Sequence, residues 1–291
     1  MRSYLDCIPC FVRQALEAAR LVACDEKTSE KVVRQVLALA AEMDLNQSPP
    51  VMGGKIHRVI RQVTGKDDPY KKIKQKFNAL ALRMYPEMKG LVAGSPKPLE
   101  TAVRLAIAGN IIDFGVSSSL KTAEVEQTIE DSLKADFDMS EFEKFSAVVK
   151  EAGEILYLCD NAGEIVFDRL LIEQLPYEKI TCVVKGSPVI NDATMEDAVI
   201  TGLTEVVKVI ENGSDDPGTV LKACSEDLRR RFDRADLVIA KGQGNYETLS
   251  DADKNIFFIL KAKCPVIARH LGCQVGTMIL SKSRAFKKAV G

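Results

Sequence analysis

The chain has 291 residues, of which 46% are hydrophobic, with 40 basic and 41 acidic side chains and a formal net charge of −1. That length predicts two domains with ample apolar chain for a core. The charge balance excludes a global field for nucleic acid or anionic membrane, and no run approaches the ~18 apolar residues of a membrane span.

Eight cysteines are scattered from Cys7 to Cys273, too irregularly and in too long a chain for a disulfide scaffold. The first residues, Met-Arg-Ser-Tyr-Leu-Asp-Cys, lack the apolar stretch of a signal peptide. A reducing cytoplasm is the expected compartment.

Residues 1–150 read as an all-helical domain. Phe11 to Val22 and Val32 to Ala41 carry apolar residues three and four apart. Gln47-Ser-Pro-Pro50 and the pair Gly53-Gly54 punctuate the next boundary. Tyr70–Leu82 and Leu99–Gly109 read as further helices, and Thr122–Met139 as an acidic one. The basic run Lys71-Lys-Ile-Lys-Gln-Lys76 is expected to be a solvated helix face. Asp67-Asp-Pro-Tyr70 reads as a helix start.

Residues 151–291 change pattern. Strand-like runs at 155–159, 180–184, 206–210, 236–240 and 256–260 alternate with segments long enough for crossover helices, and several of them lack polar alternation. Such runs are what strands buried on both faces look like. The alternation predicts a Rossmann-like three-layer α/β domain with a mainly parallel sheet. Cys264-Pro265 is expected to open a short helix that stops before Gly272.

Three of these runs end in polar clusters, where open α/β sheets bind ligands. After the first comes Asp160-Asn-Ala-Gly-Glu164. Its Asp160 and Asn161 offer oxygen ligands to a hard divalent cation, although an Asp-Asn turn with a helix cap uses the same residues. After the second come Lys185-Gly-Ser-Pro188 and Asn191-Asp192-Ala-Thr194. There Asp192 is a third oxygen ligand or, with Thr194, a cap for the next helix. After the fourth comes Lys241-Gly-Gln-Gly-Asn245, a glycine-bearing turn with a cation at its start, suited to an anion. It is not a P-loop, because its lysine precedes the glycines.

In the helical half, Asn110 and Asp113 stand three apart and can face one cleft, or simply end a helix. Cys7-Ile-Pro-Cys10 is half of a metal clip, with Cys24, His57 and His270 as candidates to complete it. Residue choice without chemistry remains the simpler account of that pair.

These motifs, in this order, resemble the metal-dependent damage-control phosphatases, whose metal-binding domain was formerly assigned to acidic-residue carboxyl methylation. The resemblance covers nearly the whole chain, and the N-terminal Cys-x₂-Cys looks like the family's short archaeal and bacterial branch. It implies that Asp160, Asn161 and Asp192 hold a divalent metal (Mn²⁺, Mg²⁺, Co²⁺ or Ni²⁺). It implies that Lys241 and Asn245 hold the phosphate and that Asn110 and Asp113 reach the substrate. The implied activity is hydrolysis of phosphate monoesters of small metabolites, among them sugar phosphates and damaged phosphometabolites. In such a reaction the cation polarises a phosphoryl oxygen, and Lys241 with Lys185 neutralises the transferring group. Asp160 is then nucleophile or ligand, with Glu164 or Asp113 as water-positioning base. The expected partner is a small phosphorylated metabolite, with neither nucleic acid nor membrane.

Two rival readings remain. A carboxyl methyltransferase using S-adenosylmethionine needs an acidic residue at the second strand's end, where Lys185 stands. A sensor that binds metal and a phosphorylated ligand without turnover needs the same groups as the enzyme.

Overall fold

The computed structural model describes residues 1–22, 25–111, 122–135 and 139–285. Its first half is helical. Helices α1 (Cys7–Leu21), α2 (Glu26–Ala41) and α3 (Pro49–Thr64) come first, followed by α4 (Lys71–Gly94), α5 (Pro98–Ile111), α6 (Thr122–Lys134) and α7 (Met139–Glu151). Local chemistry sets their ends. The Asp25 carboxylate caps α2 by accepting from the Thr28 N–H at 2.6 Å. Proline opens α3, and Gly65, at φ 67°, closes it in the left-handed conformation.

Gly53 and Gly54 do not break the chain; they lie inside α3. A Cβ on Gly54 would stand 1.8 Å from Asp216 Oδ1, and one on Gly53 would stand 3.1 Å from Pro217 Cγ. The pair therefore serves close approach of a distant loop, a use of glycine that looks like punctuation in sequence.

Six strands follow: β1 (Ile155–Leu158), β2 (Ile180–Val184), β3 (Lys208–Glu211), β4 (Leu237–Lys241), β5 (Ile256–Lys261) and β6 (Met278–Lys282). Their order is β3-β2-β1-β4-β5-β6. The first five run parallel, and β6 pairs antiparallel to β5. Between them lie α8 (Glu164–Ile172), α9 (Met195–Ile200), α10 (Glu226–Arg234), α11 (Gly242–Leu249) and α12 (Pro265–Leu271). The five expected strands are all present, and Gly272 ends α12 in the left-handed conformation. The edge strand β6 was not anticipated.

Alternate strand residues feed two cores. Ile155, Tyr157, Ile180, Leu237, Ile239 and Phe257 join Phe77, Leu105 and Ile107 of α4 and α5 in one apolar cluster, together with α8. Leu156, Leu158, Val238, Ala240 and Phe258 pack on the other face with α10, α11 and α12. Burial on both faces is why these strands read as unbroken apolar runs. Helices α1, α2 and α3 enclose a third cluster of their own around Ile56, Val32 and Ala15. No described helix is long and apolar enough to cross a membrane.

The strand order reverses between β1 and β4. Crossovers from β1 lead towards β2, whereas β4 continues on the other side, and the carboxyl ends of such a pair are where open α/β sheets take ligands.

Candidate active site

The loops that follow β1 and β2 are joined by backbone hydrogen bonds. Ala193 N–H donates to Asp160 O and Ala162 N–H to Asn191 O, each at 2.8 Å, and Asn161 pairs with Asp192 as an antiparallel bridge. This places Asp160, Asn161 and Asp192 side by side, each less than one-tenth exposed.

None of the three caps the helix that follows it. Helix α8 starts after Gly163 with no side-chain cap. Helix α9 is capped by Thr194, which shares a capping box with Asp197. Asp160, Asn161 and Asp192 are thus not committed as helix caps.

Two carboxamides bracket two carboxylates. Asn110 Nδ2 donates to Asp160 Oδ2 and to Glu164 Oε2, each at 2.9 Å. Asn161 Nδ2 donates to the same two oxygens at 2.8 and 2.9 Å. Asn110, from the helical half, therefore stands against both carboxylates. The amide oxygen of Asn161 accepts no hydrogen bond among the described residues. Asp113 lies outside the described residues.

The two strand-end lysines differ. Lys241 is fully buried, and its ammonium donates to Ala106 O at 2.9 Å, Glu164 Oε1 at 2.7 Å and Asp168 Oδ1 at 2.5 Å. Three bonds fill the three donors of an ammonium. Burial alone would lower its pKa, but Asp168 and Glu164 outweigh burial and raise it. Burial pushes the Asp168 carboxyl up to about 6 against the pull of Lys241, and Glu164 adds to the rise. Asp168 also accepts from Tyr157 Oη at 2.9 Å, while its Oδ2 has no hydrogen-bond partner among the described residues.

Lys185 stands 3.2 Å from Asp192 Oδ2 and donates to Gly218 O, which leaves one donor without a partner among the described residues. Asn245 is committed inward. Its Nδ2 donates to Lys241 O at 2.8 Å and Cys159 O at 3.2 Å, and its Oδ1 accepts from Thr219 Oγ1 at 2.7 Å. It fastens the start of α11 to the end of β1.

Gly242 is the tightest point. At φ 77°, a Cβ there would stand 1.8 Å from Asp160 Oδ2. Only a residue without a side chain lets the β4 turn approach that carboxylate.

Sequence reasoning missed the loop Asn212-Gly-Ser-Asp-Asp-Pro-Gly-Thr219. It follows β3, gives Gly218 O to Lys185, and anchors α3 through Arg58 Nη2 to Asp216 Oδ1 at 2.6 Å and through the Arg61–Asp215 pair. Its signal was present, namely a dense turn composition directly after a strand-like run. Lys74 departs from the solvated face expected of the basic run. It is buried and bonded to Asp197 Oδ2 at 3.1 Å and Asp68 Oδ2 at 3.0 Å, so it is no part of a solvated face.

A family model described as the damage-control phosphatase ARMT1-like domain matches residues 3–279. The chain belongs to the damage-control phosphatase family. A damage-control phosphatase of Archaeoglobus fulgidus is 36% identical over 282 residues, covering 94% of this chain and 96% of that one. A damage-control phosphatase of Pyrococcus horikoshii is 35% identical over 291 residues, covering 98% and 99%. An uncharacterized protein of Methanocaldococcus jannaschii is 38% identical over 288 residues, covering 95% and 94%. The crystal structure of a DUF89 family protein from Pyrococcus horikoshii superposes with a TM-score of 0.88 at 34% identity, covering 98% of this chain and all of that one.

The residues gathered at the ends of β1 and β2 offer donors made of oxygen alone. Among the described residues, no three His, Cys, Asp or Glu side chains form a metal-holding group. Asp160 and Asp192 with the unused Asn161 oxygen make instead a two-carboxylate, one-carboxamide set, which suits a hard divalent cation.

Cys7 and Cys10 lie in the first turn of α1. Burial pushes both thiols up, with Glu247 and Cys264 as charged or titrating neighbours. Neither histidine is committed to them. His57 is buried against Tyr70 with ring centroids 5.7 Å apart, and His270 Nδ1 lies 2.7 Å from Tyr246 Oη. Cys24 lies outside the described residues.

Proposed function

We propose that the chain hydrolyses phosphate monoesters of small metabolites, sugar phosphates or damaged phosphometabolites, in the crevice beyond β1 and β4, with a divalent cation held by Asp160, Asn161 and Asp192. One observation carries this reading. Backbone bonds bring two buried carboxylates and an unused amide oxygen together, beside a lysine with a donor to spare.

Mn²⁺, Mg²⁺, Co²⁺ or Ni²⁺ at these oxygens would polarise a phosphoryl oxygen and lower the pKa of an attacking water. The chain's residues do the rest. Lys185 directs its remaining N–H at the phosphoryl oxygens and neutralises charge that develops there. Lys241 acts from beneath. It fixes Glu164, and Glu164 together with Asn110 and Asn161 fixes the direction of the Asp160 carboxylate. The carboxylate that meets the reacting group is then Asp160, and Glu164 supports it. Asn245 holds the β4 turn so that Gly242 stays against Asp160.

The test is phosphate release from a panel of sugar phosphates and an aryl phosphate, with each of the four cations in turn. Release is expected to need added metal and to fall at least about a hundredfold in Asp160→Ala and Asp192→Ala. Full activity in either variant would sink the ligand assignment. Metal binding without release from any substrate would favour a sensor.

A further inference from the structure

Asn78 of α4 is fully buried, 82 positions before Asp160 in sequence, yet its carboxamide bonds the loop after β1 and the helix α9 that follows the loop after β2. Its Oδ1 accepts from Gly163 N–H at 2.7 Å, two residues beyond Asn161. Its Nδ2 donates to Asp197 Oδ1 at 2.8 Å. The other Asp197 oxygen accepts from Thr194 N–H at 2.9 Å, Thr194 Oγ1 at 2.7 Å and Lys74 Nζ at 3.1 Å. Thr194 is two residues beyond Asp192. One amide thus fixes the exit of the first loop and, through Asp197, the exit of the second.

The backbone around this amide is equally constrained. Gly163, at φ 76°, lies so close to α4 that a Cβ there would stand 3.0 Å from Phe77 Cβ and 3.2 Å from Phe77 C. Helix α4 therefore presses on the first loop at the point where Asn78 bonds it. The loops already share backbone bonds near the ligands. Asn78 adds a second fastening on the far side, so the ligands sit between two clamps. Partners of this kind set ligand direction, and their loss typically costs about 10–100-fold in metal affinity.

We infer that Asn78 is the positioning residue that sets the spacing of Asp160, Asn161 and Asp192, and that it reads in metal affinity rather than in chemistry. This rests on the metal assignment made under the proposed function. The bond to Asp197 has a direction, amide to carboxylate, which makes the idea separable from general destabilisation. Asn78→Asp sets two carboxylates against each other. Combining it with Asp197→Asn reverses the bond, because the new amide at 197 can donate to the new carboxylate at 78 while its oxygen still accepts from Thr194. The total charge of the pair is then unchanged.

The experiment is a calorimetric titration of the metal-free full chain with Mn²⁺, for the wild type, Asp160→Asn, Asn78→Asp, Asn78→Ala and the Asn78→Asp/Asp197→Asn double variant, all well below their melting temperatures. Binding is expected to be lost in Asp160→Asn and weakened about 10–100-fold in both single Asn78 variants. It is expected to return to within about threefold of wild type in the double variant. Loss in Asp160→Asn with wild-type affinity in Asn78→Asp and Asn78→Ala would overturn the inference alone. So would a double variant no tighter than Asn78→Asp. Binding untouched by Asp160→Asn would overturn the ligand assignment and this inference with it.

Discussion

The ends of β2 and β4 each carry a lysine, and the fold treats the two differently. At the end of β4, Lys241 is surrounded: two carboxylates and a helix carbonyl consume its donors. At the end of β2, Lys185 pairs with one carboxylate and one carbonyl and keeps a donor. A lysine at a strand end is therefore a reagent or a rivet according to how many acceptors its neighbours supply.

Removing Lys241 gives the largest expected effect. Lys241→Met leaves Glu164 and Asp168 buried without their cation and is expected to cost about 4 kcal/mol of folding free energy, read by urea denaturation. Lys185→Met is expected to spare most of that stability and to lower kcat about a hundredfold, since a donor aimed at developing charge is worth that much. Equal stability losses in the two variants would erase the distinction. Gly242→Ala probes the β4 turn itself. Its new methyl meets Asp160, so a loss of about tenfold or more in kcat/KM is expected, with about 1–3 kcal/mol of destabilisation from the left-handed backbone.

The smallest effect is on pH dependence. The carboxyl of Asp168 is raised to about 6 in the fold by burial, above its ordinary value near 3.8. A carboxyl raised on folding stabilises the protein fully below its unfolded pKa and loses that contribution as pH rises through the folded one. Wild type is therefore expected to lose on the order of 2 kcal/mol relative to Asp168→Asn between pH 4 and pH 7. Parallel stability curves for the two proteins would contradict the shift.

The sheet was legible in sequence because its central strands are buried on both faces. Ile155–Leu158 and Leu237–Lys241 leave no polar alternation that could suggest anything else. Strand β6 was not legible, since Met278-Ile-Leu-Ser-Lys282 sits at the sheet edge and alternates between buried and half-buried residues. In the site, Asp160, Asn161, Asp192 and Asn110 were recognisable because each stands at the end of an element. The division between Lys185 and Lys241 was hidden, because it depends on Asp168 and Ala106, which carry no motif. Asn78 and Asp216 were hidden for the same reason, since what they touch is set by packing between distant segments. Lys74 shows the converse. Its basic surroundings suggested solvent, yet the carboxylates of Asp68 and Asp197 bury it.

The bond from Lys241 to the Ala106 carbonyl has a mechanical consequence. It ties a backbone atom of α5 to the central strand β4, and the same helix shares the apolar cluster of the sheet. Helix α5 cannot swing away without exposing a charged triad, so the floor of the crevice behaves as one rigid body. Helices α1, α2 and α3 keep a separate core and meet the β3 loop through the ion pairs of Arg58 and Arg61, with Arg58 nearly half exposed. Local opening is therefore expected on that side first. Amides of β1, β4 and α5 should exchange with deuterium only on global unfolding, while those of α1–α3 open earlier and faster as salt screens the arginines.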